Sequence, residues 1–320
     1  MNYDIIGDIH GHADALRALL QELGYRDSRG AWRHPSRKAI FVGDFIDRGP
    51  KQVESVEIVR RMVDADAALA VMGNHEFNAI AWFLPDDRIP GEFLRPHHAP
   101  KYGDKNFQQH KAFLNEVIGT PRHREIIDWF LTLPLWLDLP GLRVVHACWH
   151  PRFIDFLAPK LAPGHRLTRE LMVEASREPD DESVKDNAEP SVFKAVETLT
   201  KGIEIPLPKP HSFRDKDGHE RNRVRVRWWD KNATTYRRIA MLNDEACDEL
   251  PEMPVPDHVR LGDGGGSPIF IGHYWLTGAL ELRSKKVACV DYSIARGGRL
   301  VAYRWEGESE LSSKHLIALR

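Results

Sequence analysis

The sequence has few cysteines, and the three present, Cys148, Cys247 and Cys289, are widely separated. Their odd number and spacing offer neither a disulfide framework nor a paired thiolate site for zinc, and are typical of reduced, buried thiols. The chain also lacks an apolar run approaching the ~20 residues that cross a bilayer, and the basic and then apolar start of a signal peptide. These absences predict a cytoplasmic protein that does not enter a membrane.

An excess of charge of one sign is also missing. The 45 lysines and arginines nearly balance 47 aspartates and glutamates, which leaves a formal net charge of −2. Without a global positive field, the composition gives no support to nucleic-acid binding. We predict one domain over residues 1–320, with a cap or insertion at about 153–268, where the pattern is irregular and rich in proline and acidic residues.

What the sequence does contain is a repeated arrangement of apolar runs followed by polar side chains. Residues 3–6, 39–42, 68–72, 142–145 and 269–271 are each predicted to form a buried strand. Each run is followed within a few residues by a group that can bind metal or phosphate. Because ligands bind just beyond the carboxyl ends of strands in α/β sheets, we expect these groups to converge.

The polar groups make a chemically consistent set of metal ligands. They comprise two carboxylates, one amide and three imidazoles: Asp8, His10, Asp44, Asn74, His146 and His273. Such ligands suit manganese above all, and also iron, zinc or nickel. We predict two divalent ions that share Asp44. Taken singly, each residue has an ordinary explanation, as a turn or helix cap for Asp and Asn, or as a hydrogen-bonded strand-end histidine.

Three motifs carry a resemblance to a known family. Asp8-x-His10, Asp44-x-x-Asp47-Arg48 and Asn74-His75-Glu76 resemble the signature blocks of calcineurin-like metallophosphoesterases. More narrowly, they resemble the branch of Ser/Thr protein phosphatases and bacterial symmetrical dinucleoside tetraphosphatases. The resemblance implies an α/β fold of the metallo-dependent phosphatase type, a four-layer αββα sandwich of two mixed sheets flanked by helices.

The resemblance also implies a role for each matching residue. Asp8, His10 and Asp44 would hold one ion, and Asp44, Asn74, His146 and His273 the other. A hydroxide between ions ~3.5–4 Å apart would attack phosphorus in line. His75 would protonate the leaving oxygen with Asp47 orienting its ring, and Arg48 would offer paired donors to the phosphate.

Other segments depart from the family or remain open. Arg221, Arg223, Arg225 and Arg227 alternate with other residues, so one strand would place all four on one face. That strand is either a solvated edge or part of a cap that aims Arg225 or Arg227 at a multiply charged substrate. Residues 286–290 and 300–305, joined by Gly297-Gly298, are predicted to form a closing β-hairpin.

The predicted function is metal-dependent hydrolysis of phosphate monoesters or phosphoanhydrides, with dinucleoside polyphosphates among the expected substrates. The alternative within the family is a Ser/Thr protein phosphatase acting on phosphoproteins. A regulatory module that binds metal without catalysis is least favoured, because Asp47, His75 and every ligand are present. The near-neutral charge and Arg48 argue against a nuclease.

Overall fold

A computed structural model of the chain describes residues 2–100, 102–214, 219–282 and 284–319. Its α-helices are α1 (Ala13–Glu22), α2 (Gln52–Asp64), α3 (Asn74–Phe83), α4 (Gly103–Val117), α5 (Pro121–Phe130), α6 (Pro151–Leu157), α7 (Arg169–Ala175), α8 (Glu182–Asp186), α9 (Val192–Lys201), α10 (Tyr236–Ile239) and α11 (Asp244–Asp248). Short 3₁₀ helices cover Ala158–Lys160, Asp257–Val259, Ile294–Arg296 and Ser313–His315.

The strands are β1 (Asn2–Ile6), β2 (Arg26–Ser28), β3 (Ala31–Arg33), β4 (Arg37–Phe41), β5 (Ala68–Ala70), β6 (Trp136–Leu139), β7 (Leu142–Val145), β8 (Glu204–Pro206), β9 (Phe213–Arg214), β10 (Glu220–Arg221), β11 (Arg223–Arg225), β12 (Ile269–Ile271), β13 (Val287–Cys289), β14 (Asp291–Tyr292), β15 (Arg299–Trp305) and β16 (Leu316–Ala318). One sheet has the order β14-β15-β1-β4-β5, with β16 beside β15, and a second has the order β13-β12-β7-β6. Both are mixed, because β1, β4 and β5 run parallel while β15 opposes β1, and β7, β12 and β13 run parallel while β6 opposes β7.

Alternation along the strands explains why the two sheets pack face to face. Ile5 on β1, Ile40 on β4 and Phe270 on β12 belong to one buried cluster that both sheets share. Their neighbours Ile6 and Phe41 point the opposite way, into the core formed with the helices. Since successive strand residues face opposite sides, each sheet contacts the other sheet on one face and helices on the other. The predicted αββα sandwich is confirmed.

The helices cover the outer faces because their apolar residues recur at helical spacing. In α1, Leu16, Leu19 and Leu20 are buried on one face, and the helix ends just before Gly24, which adopts φ +93°. A glycine accepts this left-handed conformation without the steric cost of a side chain. Among the described residues, no helix combines the length and apolarity needed to span a bilayer.

The end of the chain corrects one prediction. Residues 286–290 and 300–305 do not form a hairpin, because β13 runs beside β12 in the second sheet and β15 runs beside β1 in the first. The chain passes from the second sheet to the first between Val290 and Asp291. The Val290 N–H bonds the carbonyl oxygen of Ile271, next to β13, whereas Asp291 pairs with Leu300 on β15. The glycine pair Gly297-Gly298 therefore joins β15 to the short strand β14.

The irregular region leaves and re-enters one sheet. β7 and β12 are parallel neighbours, so residues 146–268 connect two adjacent strands. The region packs back on the sandwich where the Ala147 N–H bonds the Leu199 carbonyl at 2.9 Å and the Trp228 indole N–H bonds the Ala147 carbonyl at 3.2 Å. That residues 153–268 form a cap stays a prediction.

The alternating arginines do not lie on a single strand. β10 pairs with β9, whereas β11 pairs with β8, and the chain bends between them at Asn222. The Asn222 carbonyl accepts a bond from the Leu207 N–H at 2.7 Å. Arg227 lies beyond the end of β11. The expectation of one continuous arginine face is therefore wrong.

Candidate active site

The predicted metal ligands all lie just after strands of the two sheets. Asp8 and His10 follow β1, Asp44 follows β4, and Asn74 begins α3 after β5, while His146 and His273 follow β7 and β12. All six are buried. His10, Asp44 and His273 have positive φ angles of 46°, 54° and 69°. This conformation costs an ordinary residue about 1–3 kcal/mol, and such residues cluster at functional sites.

Glycines allow the close approach of these loops. A Cβ atom on Gly272 would lie 2.1 Å from Asp8 Oδ1, and one on Gly73 would lie 2.2 Å from Asp44 Oδ1. Any side chain at either position would therefore displace a carboxylate of the site. The glycines of the sequence motifs are needed for this geometric reason.

The first half of the predicted site comprises Asp8, His10 and Asp44, of which His10 and Asp44 lie together with His75, with ligand-type atoms within 4.8 Å of one another. The Nδ1 atom of His10 lies 2.9 Å from the Ile46 carbonyl oxygen, which makes Nδ1 the protonated nitrogen. Nε2 is then unprotonated and lies 3.7 Å from Asp44 Oδ2. Burial, first of all, lowers the pKa of His10 to about 4. The imidazole is therefore neutral at pH 7, as a metal ligand must be.

The second half is formed by Asn74, His146 and His273. His146 Nε2 and His273 Nδ1 lie 3.1 and 2.8 Å from Asn74 Oδ1. His146 Nδ1 bonds the Val42 carbonyl at 2.6 Å, so its Nε2 is the nitrogen that faces the other ligands. Three ligand atoms thus converge from three different loops.

Asp44 lies between the two halves. Its Oδ1 is 3.3 Å from His146 Nε2, and its Oδ2 is 3.7 Å from His10 Nε2. The two carboxylate oxygens therefore face different imidazoles. A carboxylate in this position can contribute a ligand to each of two neighbouring cations, as predicted for Asp44.

Several buried polar atoms of the site have no hydrogen-bond partner among the described residues. They are Asp8 Oδ1, His10 Nε2 and His273 Nε2. Buried polar atoms are normally paired, because leaving one unpaired costs about 1–3 kcal/mol. Carboxylate oxygens and unprotonated imidazole nitrogens are the kinds of atom that divalent cations bind.

The pKa values of the buried carboxylates also favour bound cations. Burial, together with Asp291 and Asp44, raises the pKa of Asp8 well above its usual value. Burial and Asp44 raise the pKa of Glu76 to about 7, and burial is the main cause that raises the pKa of Asp291 to about 6. Four buried carboxylates thus stand close together. Positive charge supplied by cations would stabilise their ionised forms.

Glu76 holds the loops that carry the ligands. Its two carboxylate oxygens accept the backbone N–H groups of Asp44 and Phe45, each at 2.8 Å, and of Gly73 at 3.0 Å. This single buried side chain joins the loop after β4 to the start of α3. The glutamate of the Asn74-His75-Glu76 motif therefore has a positioning role.

The predicted acid, His75, contacts the predicted orienting residue. His75 Nδ1 lies 2.5 Å from Asp47 Oδ2, and its Nε2 lies 3.9 Å from Asp44 Oδ2. Burial alone would lower the pKa of His75, but Asp44 and Asp47 outweigh it and raise the pKa above the usual value. The ring can therefore carry a proton on Nε2, the nitrogen that faces the metal ligands.

The arginines occupy different positions. Arg48 is exposed and has φ +78°. The Arg225 guanidinium lies 5.9 Å from the centre of the Tyr274 ring, beside His273, and is also paired with Glu204 Oε1 at 3.0 Å. After burial, Arg225 is the largest influence lowering the pKa of His273. Arg227 instead donates to the Arg238 carbonyl oxygen at 2.5 Å. Of these arginines, Arg225 is therefore the one whose charge acts on a predicted ligand.

Sequence reasoning missed His110. This residue lies on α4, is completely buried, and places Nδ1 2.7 Å from Asp47 Oδ2. The available signal was its helical spacing, three residues from both Phe107 and Phe113, which predicts a position on the buried face. With Asp47 and His75 it forms a third group of close polar atoms.

Known proteins share the sequence motifs of this site. The sequence signature of the calcineurin-like phosphoesterases matches residues 1–231. The bis(5'-nucleosyl)-tetraphosphatase PrpE [asymmetrical] of Oceanobacillus iheyensis is 30% identical over 149 residues, which are 46% of this chain and 55% of that protein. The protein of the same name from Halalkalibacterium halodurans is 46% identical over 76 residues, 23% of this chain and 31% of that protein. These matches cover less than two thirds of the relatives' own lengths.

Solved structures resemble the chain more distantly. The cold-active protein-tyrosine phosphatase of a psychrophilic Shewanella species is 18% identical and has a TM-score of 0.48, with 100% of this chain and 80% of that chain covered. A serine/threonine phosphatase from Saccharomyces cerevisiae is 14% identical with a TM-score of 0.42, covering 100% and 79%. By its signature over residues 1–231, the chain belongs to the family of calcineurin-like phosphoesterases.

Proposed function

We propose that the protein is a metal-dependent phosphohydrolase with two divalent cations, and that it cleaves phosphoanhydrides or phosphate monoesters of small molecules. The observation that carries the proposal is the position of Asp44. Its two oxygens face His10 Nε2 and His146 Nε2 at 3.7 and 3.3 Å. Asp8 Oδ1 and His10 Nε2, which have no hydrogen-bond partner in the described part of the chain, support cation binding at this place.

The residues supply what such a reaction needs. Divalent cations bound by Asp8, His10, Asp44, Asn74, His146 and His273 would lower the pKa of water and so provide a nucleophile at neutral pH. Although burial lowers it, Asp44 and Asp47 raise the pKa of His75, so the ring can carry a proton on Nε2, on the side of the ligands, and give it to the leaving oxygen. Asp47 fixes the ring through the 2.5 Å contact with Nδ1. The exposed guanidinium of Arg48 can offer two parallel N–H donors to a phosphoryl group.

Dinucleoside polyphosphates are the substrates we favour. The relatives with 30% and 46% identity carry the name bis(5'-nucleosyl)-tetraphosphatase. Arg225 places a cation beside His273, where additional phosphates of a polyphosphate chain would meet it. Manganese is our proposed metal, because the ligand set mixes carboxylate and amide oxygens with imidazoles.

The test compares three substrates with one preparation of enzyme. Metal-stripped protein is reloaded with manganese and assayed on 4-nitrophenyl phosphate, a phosphoserine peptide and diadenosine tetraphosphate. We expect manganese-dependent turnover with preference for diadenosine tetraphosphate, and Asp44→Asn serves as the matched control that loses turnover on all three. Product analysis separates two ADP, from symmetrical cleavage, from ATP and AMP, from asymmetrical cleavage.

Two other outcomes would contradict the proposal in different ways. Preference for the phosphopeptide would assign the protein to the phosphoprotein phosphatases instead. Two bound manganese ions with no turnover on any substrate would favour a regulatory module that binds metal without catalysis.

A further inference from the structure

Asp47 lies between two histidines, only one of which belongs to a family motif. Its Oδ2 atom is 2.5 Å from His75 Nδ1 and 2.7 Å from His110 Nδ1. The His75 and His110 ring centres are 6.2 Å apart with their planes at 77°. All three side chains are buried. One carboxylate oxygen is thus shared by two imidazoles that approach it from different helices.

The contact from His110 has a defined chemical form. His110 Nδ1 lies 2.7 Å from Asp47 Oδ2 without the alignment of a hydrogen bond, so the contact is a close electrostatic pair. Burial, and to a lesser extent the nearby cation of Arg95, lower the pKa of His110 below its usual value. A neutral imidazole beside a carboxylate must carry its proton on the facing nitrogen, here Nδ1.

The surroundings hold His110 rigidly with respect to Asp47. Glu116, on the same helix α4, accepts the backbone N–H groups of Gln52 and Val53 at 2.8 and 2.9 Å. The Gln52 side chain in turn accepts the Asp47 N–H at 2.6 Å and donates to the Gly49 carbonyl at 2.6 Å. Helix α4 is therefore tied directly to the segment that carries Asp47.

Arg95 closes this assembly on its far side. Its guanidinium donates to Asn78 Oδ1 on α3 at 3.1 Å and to Gln109 Oε1 on α4 at 2.7 Å. Burial, opposed by Asp47, lowers the pKa of Arg95 to about 10, so the group stays charged at pH 7. The cation joins the helix that begins at Asn74 to the helix that carries His110.

We propose that His110 is a positioning residue of the reaction, which fixes the Asp47 carboxylate through a second contact to the oxygen that His75 contacts, and so keeps the His75 ring aimed at the leaving oxygen. The inference rests on the proposed function, because it assigns His75 the role of general acid. In that role, a second fixed polar contact matters because two contacts restrict the rotation of a carboxylate more than one contact does. The orientation of the His75 ring depends in turn on the orientation of the Asp47 carboxylate.

Leaving-group dependence tests this role. The variants are His110→Asn, whose amide nitrogen can occupy the position of Nδ1, and His110→Gln, whose amide nitrogen reaches the position of Nε2. Both are neutral and polar, so they differ in where the donor lies. Each is assayed on 4-nitrophenyl phosphate, whose phenolate departs without a proton, and on an alkyl phosphate, which needs the acid.

We expect His110→Gln to lower kcat on the alkyl phosphate by about 10–100-fold, part of the 10²–10⁴-fold effect of a general acid, and to change kcat on the aryl phosphate less than about threefold. His110→Asn is expected to keep the wild-type ratio of the two rates. Bound manganese should remain unchanged in both. Should His110→Gln fail to fold, His110→Leu makes the same comparison without a donor.

Three results would overturn the proposal. An equal fall on both substrates would indicate a purely structural role, unchanged rates would show that the contact is dispensable, and loss of a bound metal would make His110 a ligand. His75→Gln is assayed in parallel. If that variant shows no leaving-group dependence, the assignment of the acid itself is wrong, and this failure is distinct from that of His110.

Discussion

His146 donates from Nδ1 to the carbonyl oxygen of Val42 across 2.6 Å, and this bond decides which of its nitrogens can bind a metal. His10 is oriented in the same way, because its Nδ1 lies 2.9 Å from the Ile46 carbonyl oxygen. Both acceptors flank Asp44 in the chain. The loop that supplies the carboxylate shared by the two halves of the site therefore also orients one imidazole in each half.

This coupling predicts that Asp44→Asn will weaken both metal sites at once. The amide can present only one oxygen, and it removes a negative charge from both halves. We expect two manganese ions per wild-type chain and fewer than one in Asp44→Asn, measured by metal analysis after dialysis. Asp8→Asn is the control, because Asp8 belongs to the first half only and should cost one ion.

Thermal melting provides a second measure of the same prediction. At a free metal concentration 100 times the dissociation constant, one site stabilises the folded state by about 2.7 kcal/mol. Manganese should therefore raise the melting temperature of the wild type and have little effect on Asp44→Asn. Two tightly bound ions in Asp44→Asn would show that the carboxylate is not shared.

His75→Gln should separate catalysis from metal binding. His75 Nε2 lies 3.9 Å from Asp44 Oδ2, close to His10 and Asp44, whereas its Nδ1 is held by Asp47. We expect both metal ions to remain and kcat on an alkyl phosphate to fall by about 10²–10⁴-fold, the usual contribution of a general acid. Metal loss in this variant, with the remaining activity in proportion to bound metal, would make His75 a ligand instead.

Arg225 and Arg227 form a matched pair for testing the substrate contact. Arg225 influences His273 through its charge, whereas Arg227 is bonded to the Arg238 carbonyl. We expect Arg225→Gln to raise KM for diadenosine tetraphosphate about 10-fold or more, since a hydrogen bond to a charged group contributes about 1.5–3 kcal/mol. KM for 4-nitrophenyl phosphate should change less, because it has no additional phosphates.

Arg227→Gln is the control and should leave both KM values near those of the wild type. Equal effects of the two substitutions on the polyphosphate would mean that the two arginines act only through their charge. An unchanged KM in Arg225→Gln would mean that β11 is a solvated edge strand without a role in substrate binding.

The convergence of the candidate ligands was predictable from sequence because each of them follows a strand. Each ligand follows directly after an apolar run, and residues 142–145 and 269–271 were predicted with the bounds that the structure has. The closing hairpin was wrong because Gly297-Gly298 is a local turn signal, whereas pairing of β13 with β12 and of β15 with β1 is decided by distant strands. His110 was missed for the same reason, since only the packing of α4 brings it to Asp47.

His123 should make the protein sensitive to acid at a place remote from the metal ligands. Its ring lies against Phe83 and Phe113, with centres 4.8 and 5.8 Å apart, and burial lowers its pKa from 6.5 to about 4. Between these pH values the unfolded chain binds a proton that the folded protein does not, so the free energy of unfolding falls as pH falls through this window.

Replacing His123 with phenylalanine removes this proton uptake. We expect the free energy of unfolding of His123→Phe to fall less than that of the wild type between pH 7 and pH 5, by about 1–2 kcal/mol, since one pKa unit corresponds to about 1.4 kcal/mol. Urea titrations of the metal-free proteins at the two pH values measure it, and omitting metal removes the pH dependence of the ligands' own binding. Parallel losses in both proteins would show that His123 is protonated as easily in the folded state as in the unfolded chain.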